Sequence, residues 1–179
     1  MQASKNTMFL NYIKAFSVKR ILKNSLQNDR RNPDSSTVRT IGVVVEESSL
    51  EIVEQLIKRF REQGIANQDI VVIVYRDKVK KGSAVSYPLF SARDLNWNAT
   101  FSSTNVNDFI VTDFDLLISY YDVEKAGLLL LTNQSNAKFK VGLASVDKRL
   151  NDLIINTTVD NHVVFTQEIV KYLKILNKL

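Results

Sequence analysis

The densest run of reactive side chains is Ser145-Val146-Asp147-Lys148-Arg149-Leu150-Asn151-Asp152, which joins two apolar stretches. Arginine and lysine grip carboxylates and phosphates through charge-assisted hydrogen bonds, arginine as a two-pronged fork. Asp147 and Asp152 have the chemistry of a general base or a metal ligand, and the Asn151 amide both donates and accepts. The same residues also suit a charged connection whose acids and bases pair with one another. Ser119-Tyr120-Tyr121-Asp122 is a second concentration. Its paired tyrosines offer stacking faces and hydroxyl donors, while Asp122 is accounted for as a helix N-cap. In Glu46-Glu47-Ser48-Ser49, a helix N-terminus would draw an anion but the two glutamates would repel it. Helix capping by Ser48 and Glu51 explains that cluster better.

The remaining reactive residues stand alone. His162 is the single histidine, too few for a multi-histidine metal site. Without an orienting acid and a nucleophile beside it, it reads as a surface or capping residue. Asp113 and Asp115 flank Phe114, but two carboxylates make a hydrolase only at a defined separation. Trp97, the only tryptophan, is expected to anchor packing. No G-x-G-x-x-G follows the first apolar run, which ends in E-E-S-S-L, and this argues against a standard dinucleotide site. Neither a P-loop nor a G-x-S-x-G elbow occurs. With no cysteine there is no disulfide, thiolate nucleophile or cysteine-ligated metal, which fits a reducing compartment. The sequence calls for no cofactor and no metal.

What would position these residues is an alternation of short apolar runs and amphipathic stretches. Thr40–Val45, Ile70–Tyr75, Asp115–Tyr120, Phe139–Leu143 and Leu153–Asn156 read as strands, the first two buried on both faces. Val85–Phe90 is a poor strand because Pro88 interrupts it. Helices are predicted from the capping box at Ser48 to Gly64, over Asn105–Val111, over Val123–Thr132, and at the C-terminus. The last is expected to bury Phe165, Ile169, Tyr172, Leu173 and Leu176. Strand and helix in turn predict a three-layer, doubly wound α/β fold, Rossmann-like, with a mostly parallel sheet. Ligands of such sheets sit beyond the carboxyl ends of the strands, which is where all three polar clusters fall.

Residues 1–36 read as a separate arm and linker, and 37–179 as the α/β domain. The arm is an amphipathic basic helix over 4–26, followed by the Asn-, Ser- and Arg-rich stretch around Pro33. Eight of the 24 basic residues and only two acids lie in residues 1–40, so the net charge of +5 belongs to the arm and the rest is near neutral. Lys14, Lys19, Arg20 and Lys23 are the candidates for an anionic partner, either a membrane surface or a nucleic acid. A solvated helix face is the plainer account. No run is long enough for a membrane span, and the first residues lack a signal-peptide pattern.

The stretches F-D-L-L-I-S-Y-Y (114–121), A-K-F-K-V-G-L-A-S (137–145), D-K-R-L-N-D-L-I-I (147–155) and K-Y-L-K-I-L-N-K (171–178) resemble a domain-of-unknown-function family of small bacterial α/β proteins. The resemblance covers most of the chain and implies a cytoplasmic bacterial protein, with no activity to carry over. Asp115 to Gly142 is also similar to the N-terminal half of heptosyltransferase-like glycosyltransferases, which run strand, apolar helix, then an A-K-x-x-x-G strand. No residues remain here for the second nucleotide-sugar domain of those enzymes, so that similarity bears on fold alone.

These observations favour a soluble, non-enzymatic binding or scaffolding module, with a protein partner or a second copy docking through the N-terminal helix. One alternative is a small-ligand protein or enzyme for a phosphate- or sugar-containing molecule, using Ser119, Tyr120, Tyr121, Asp147, Arg149, Asn151 and Asp152. Another is anionic-surface binding through the arm.

Overall fold

The computed structural model describes residues 16–24, 36–77 and 86–179. Lys14, the start of the predicted arm helix, the stretch around Pro33 and the loop over 78–85 lie outside the described residues.

Six strands form one all-parallel sheet: β1 (Ile41–Glu46), β2 (Ile70–Tyr75), β3 (Leu89–Phe90), β4 (Leu116–Tyr120), β5 (Phe139–Leu143) and β6 (Leu153–Ile155). Their order is β3-β2-β1-β4-β5-β6, the doubly wound order with its switch point between β1 and β4. The central strands are apolar at consecutive positions because both faces are covered. On one face Val43, Val45, Leu116, Ile118 and Val141 pack under α2 (Leu50–Arg61) and α5 (His162–Ile175). On the other, Val44, Ile73 and Leu117 pack under α3 (Thr104–Val111), α4 (Ala126–Gln134) and the helical residues 16–24, here α1. Two cores separated by a sheet make the expected three-layer Rossmann-like α/β fold.

Local details follow from composition. α4 is buried from Gly127 through Thr132, as a helix apolar on every side must be. Lys140, wholly buried, donates from Nζ to the carbonyls of Thr132 at 2.6 Å and Asn133 at 3.1 Å, so a cation caps the negative end of α4. α2 closes at Gly64, whose φ of 93° is cheap only for glycine. There Gly64 N–H bonds Arg61 O and Ile65 N–H bonds Phe60 O, the paired bonds of a Schellman motif.

Several expectations are corrected. The Ser48 capping box does not form: a 3₁₀ turn over Glu47–Ser49 leads into α2, with no side-chain cap bond. Asp122 does not cap α4, which starts later at Ala126 with Lys125 before it. The strand at Pro88 shrinks to Leu89–Phe90, since proline cannot donate to the ladder and contributes only its carbonyl, to Val74 N–H. Trp97 is not an anchor. It is 73% exposed at the tip of a tight loop closed by Asn96 N–H to Thr100 O at 2.8 Å, while its neighbours Leu95, Ala99 and Phe101 are buried. Tyr172 and Leu176 leave the core stripe of α5, whose buried face is Phe165, Thr166, Ile169, Val170 and Leu173.

Candidate functional site

Charged residues crowd the carboxyl ends of β1, β2 and β4, where a doubly wound sheet usually receives its ligand. Arg76 follows β2 and is only 6% exposed. Its guanidinium donates through Nε and Nη2 to the two Glu47 oxygens, at 2.8 and 2.7 Å. Lys125 bridges Glu46 and Asp77, the latter at 2.7 Å, with its ammonium 5.3 Å from the Tyr75 ring centre. Burial works against the Lys125 charge, but the two carboxylates outweigh it and raise its pKa. Burial, then Asp77 and Glu46, push the Tyr75 phenol well above its ordinary range. Among the described residues, the two cations at the switch point, Arg76 and Lys125, are thus engaged by the acids beside them.

The Ser119-Tyr120-Tyr121 cluster lies inside the molecule. All three residues are fully buried, because β4 is the sheet's centre and the chain just beyond it is overlaid by α4. The Tyr121 hydroxyl shares a 2.7 Å hydrogen bond with Thr132 Oγ1, which lies 3.2 Å from Ser119 Oγ. Tyr120 donates to the Val159 carbonyl. Burial raises the Tyr120 phenol to about 12 and Tyr121 further, so both stay protonated donors. The Tyr121 hydroxyl ties the end of β4 to α4, and the Tyr120 hydroxyl ties β4 to the segment before α5.

The run after β5 divides. Asp152 accepts the Lys140 backbone N–H at 2.7 Å and so fixes the path from β5 into β6. The Asn151 amide is buried against Gly142; a Cβ on Gly142 would stand 2.8 Å from Asn151 Cγ, so this close approach requires glycine. Neither polar atom of that amide has a hydrogen-bond partner among the described residues. Asp147 and Arg149 point outward. Asp147 accepts Arg149 N–H at 3.0 Å, capping the turn Lys148–Leu150, and its carboxylate is forked by the Arg149 guanidinium at 2.9 and 2.5 Å. That guanidinium holds the Asp147 carboxyl below the usual carboxylate range.

α1 then brings two parts of the sequence together. Val18 and Leu22 are buried in the α3–α4 core, each contributing about 1.5–3 kcal/mol of hydrophobic stabilisation. Helical spacing leaves Lys19 and Lys23 at the edge of that seam. Lys19, Leu22 and Lys23 of α1, Leu129 of α4, Glu124 before it, and Asp147, Arg149 and Leu150 after β5 line one cleft of about 190 Å³. Its floor is leucine and its rim carries three cations against two carboxylates. Lys19 and Glu124 stand 4.0 Å apart, and Lys23 has no ion pair among the described residues. Arg20 is exposed but does not line the cleft.

Glu124, Leu129 and Leu150 were not legible as cleft residues, because only the docking of α1 brings them to positions 19–23. His162 lies on the opposite side of the sheet, its Nε2 2.5 Å from Gln55 Oε1 of α2. Among the described residues no helix is long and apolar enough to cross a membrane, and no group of three or more histidine or carboxylate side chains could hold a metal ion.

No curated protein and no solved structure matches the chain, and nothing found supports the likeness to heptosyltransferases. Residues 14–176 do match a family described only as a family of unknown function, and that span takes in the sheet, α1 and every residue of the cleft. This six-stranded chain with its helix-covered cleft therefore belongs to the family of unknown function DUF6913.

Proposed function

We propose that the protein is a non-enzymatic binding module that recognises an anionic group, presented next to an apolar one, in the cleft between α1 and the β5–β6 connection. The observation that carries this reading is the convergence of Lys19 and Lys23 with Arg149 over a leucine floor. Two expectations, an anion-seeking arm and a ligand-gripping loop after β5, then describe one site. The switch point is a poorer choice, since its cations among the described residues, Arg76 and Lys125, are already engaged by Glu46, Glu47 and Asp77. At the cleft, Lys23 is uncommitted among the described residues and the Arg149–Asp147 pair is partly exposed, so an incoming carboxylate or phosphate competes with water-screened partners. A bacterial, cytoplasmic setting belongs to the same proposal, supported by the chain's lack of cysteine and by the family resemblance.

Amide-resonance mapping with octanoate, phenyl phosphate and inorganic phosphate tests it. The two probes with apolar groups should perturb residues 19–23 and 147–150 more strongly than phosphate does, and binding should weaken several-fold between about 0.05 and 0.5 M salt. Perturbations confined to other faces, or equal and salt-independent in a Lys23→Glu variant, would remove the reading.

A further inference from the structure

α5 carries a second, outward stripe that nothing in the described chain covers. Val164, Tyr172 and Ile175 are 38%, 37% and 63% exposed. At about 100° per residue, Val164, Glu168, Lys171 and Ile175 fall within an arc of roughly 60° on the side away from Phe165, Ile169 and Leu173, with Tyr172 at the margin between the two faces. Glu168 and Lys171 occupy the middle, with Lys171 Nζ 3.0 and 3.1 Å from the two carboxylate oxygens.

The order along this stripe is apolar, acidic, basic, apolar, and it is self-complementary about its midpoint. Two copies of α5 laid antiparallel and crossing near residue 170 put Val164 of each opposite Ile175 of the other. The same crossing puts Glu168 opposite Lys171, so the pair that closes within one helix can close between helices. A patch that meets its own charges and apolar ends under a twofold rotation is the signature of an isologous contact. We propose that this face of α5 is the dimer interface of the protein, with a second copy of the same chain as its occupant. It is separate from the cleft, which lies on the other side of the sheet, and from an association through the N-terminal helix.

Sedimentation of the full chain between about 1 and 200 µM tests it, because two short helix faces make a small interface of modest affinity. A concentration-dependent dimer is expected. Ile175→Glu and Lys171→Glu should each weaken it by about tenfold or more. The exchange Glu168→Lys with Lys171→Glu should restore association to within about threefold, since it recreates the facing charges. All these positions are exposed or half-exposed, so circular dichroism should show an unchanged fold in each variant. A chain that stays monomeric across the range, a dimer indifferent to both single substitutions, or a charge exchange that fails to rescue would each overturn the assignment.

Discussion

Two charged regions share the carboxyl edge of the sheet and differ in what their charges are free to do. At the β1–β4 switch, Arg76 is almost wholly buried and forked onto Glu47, and Lys125 spans Glu46 and Asp77. Beyond β5, Arg149 and Asp147 form an equally short pair, but the arginine side chain is 46% exposed. Depth of the arginine is the difference between the Arg76 and Arg149 pairs. Buried partners hold each other because parting strands a charge in a poor dielectric, whereas exposed partners are replaced by water at little cost. Among the described residues, Arg76 and Glu47 at the fold's usual ligand position form a structural clasp, whereas the pairs at the edge beside it, Lys19–Glu124 and Arg149–Asp147, lie partly in solvent. Strand order points to the edge of the sheet; side-chain depth separates the parts of it that the proposed binding would and would not use.

Substitutions in the two regions should separate these roles. Arg76→Ala has the largest expected effect, a loss of about 3 kcal/mol in chemical denaturation, because Glu47 is left half-buried without its cation. A loss below about 1 kcal/mol would make the clasp no different from a surface pair.

A third ion cluster, at the opposite edge of the sheet, sharpens the contrast through pH. Asp115 accepts the N–H groups of Arg39 and Thr40, at 2.9 and 3.1 Å, and Lys138 Nζ at 2.8 Å. Burial alone would raise its carboxyl, but Lys138 and those N–H groups outweigh burial and lower it. A carboxyl depressed by folding stabilises the folded state at pH values above its unfolded value of about 3.9. That contribution disappears as pH falls through the folded value. Melting temperature should therefore drop below about pH 4, and Asp115→Asn should lower stability near neutrality and flatten the acid slope. An unchanged slope in the variant would show that the cluster does not link folding to protonation.

The smallest expected change in stability is at the cleft. Arg149→Ala should leave the melting temperature within about 2 °C of the parent while reducing phenyl phosphate binding several-fold. A fall of many degrees would mean that the pair after β5 is a clasp as well, and the two regions would no longer differ.

Much of the fold could be read from one sequence. The runs at Thr40–Val45 and Ile70–Tyr75 are too continuous for a half-exposed sheet, and they are neighbouring strands in register from Ile41 opposite Ile70, β1 covered on both faces and β2 covered from Val72 onward, after an exposed Val71. The site was less legible. Ser119, Tyr120 and Tyr121 have the right chemistry and the right edge, yet β4 is central and their hydroxyls are taken up inside. Tyr172 and Leu176 fit a helical stripe by spacing, yet the core under α5 takes up Phe165, Ile169, Val170 and Leu173 instead.

The sequence by itself determined the alternation of strand and helix, the parallel class of the sheet and the gathering of positive charge toward the N-terminus, because these depend on periodicity and composition along the chain. Tertiary structure alone decided which polar groups face water and which neighbours they meet. Lys19 meets Glu124, and Arg76 meets Glu47, through packing between segments far apart in the chain. A charge's worth depends on its depth and on the partner within a few ångströms, and neither is encoded in local spacing.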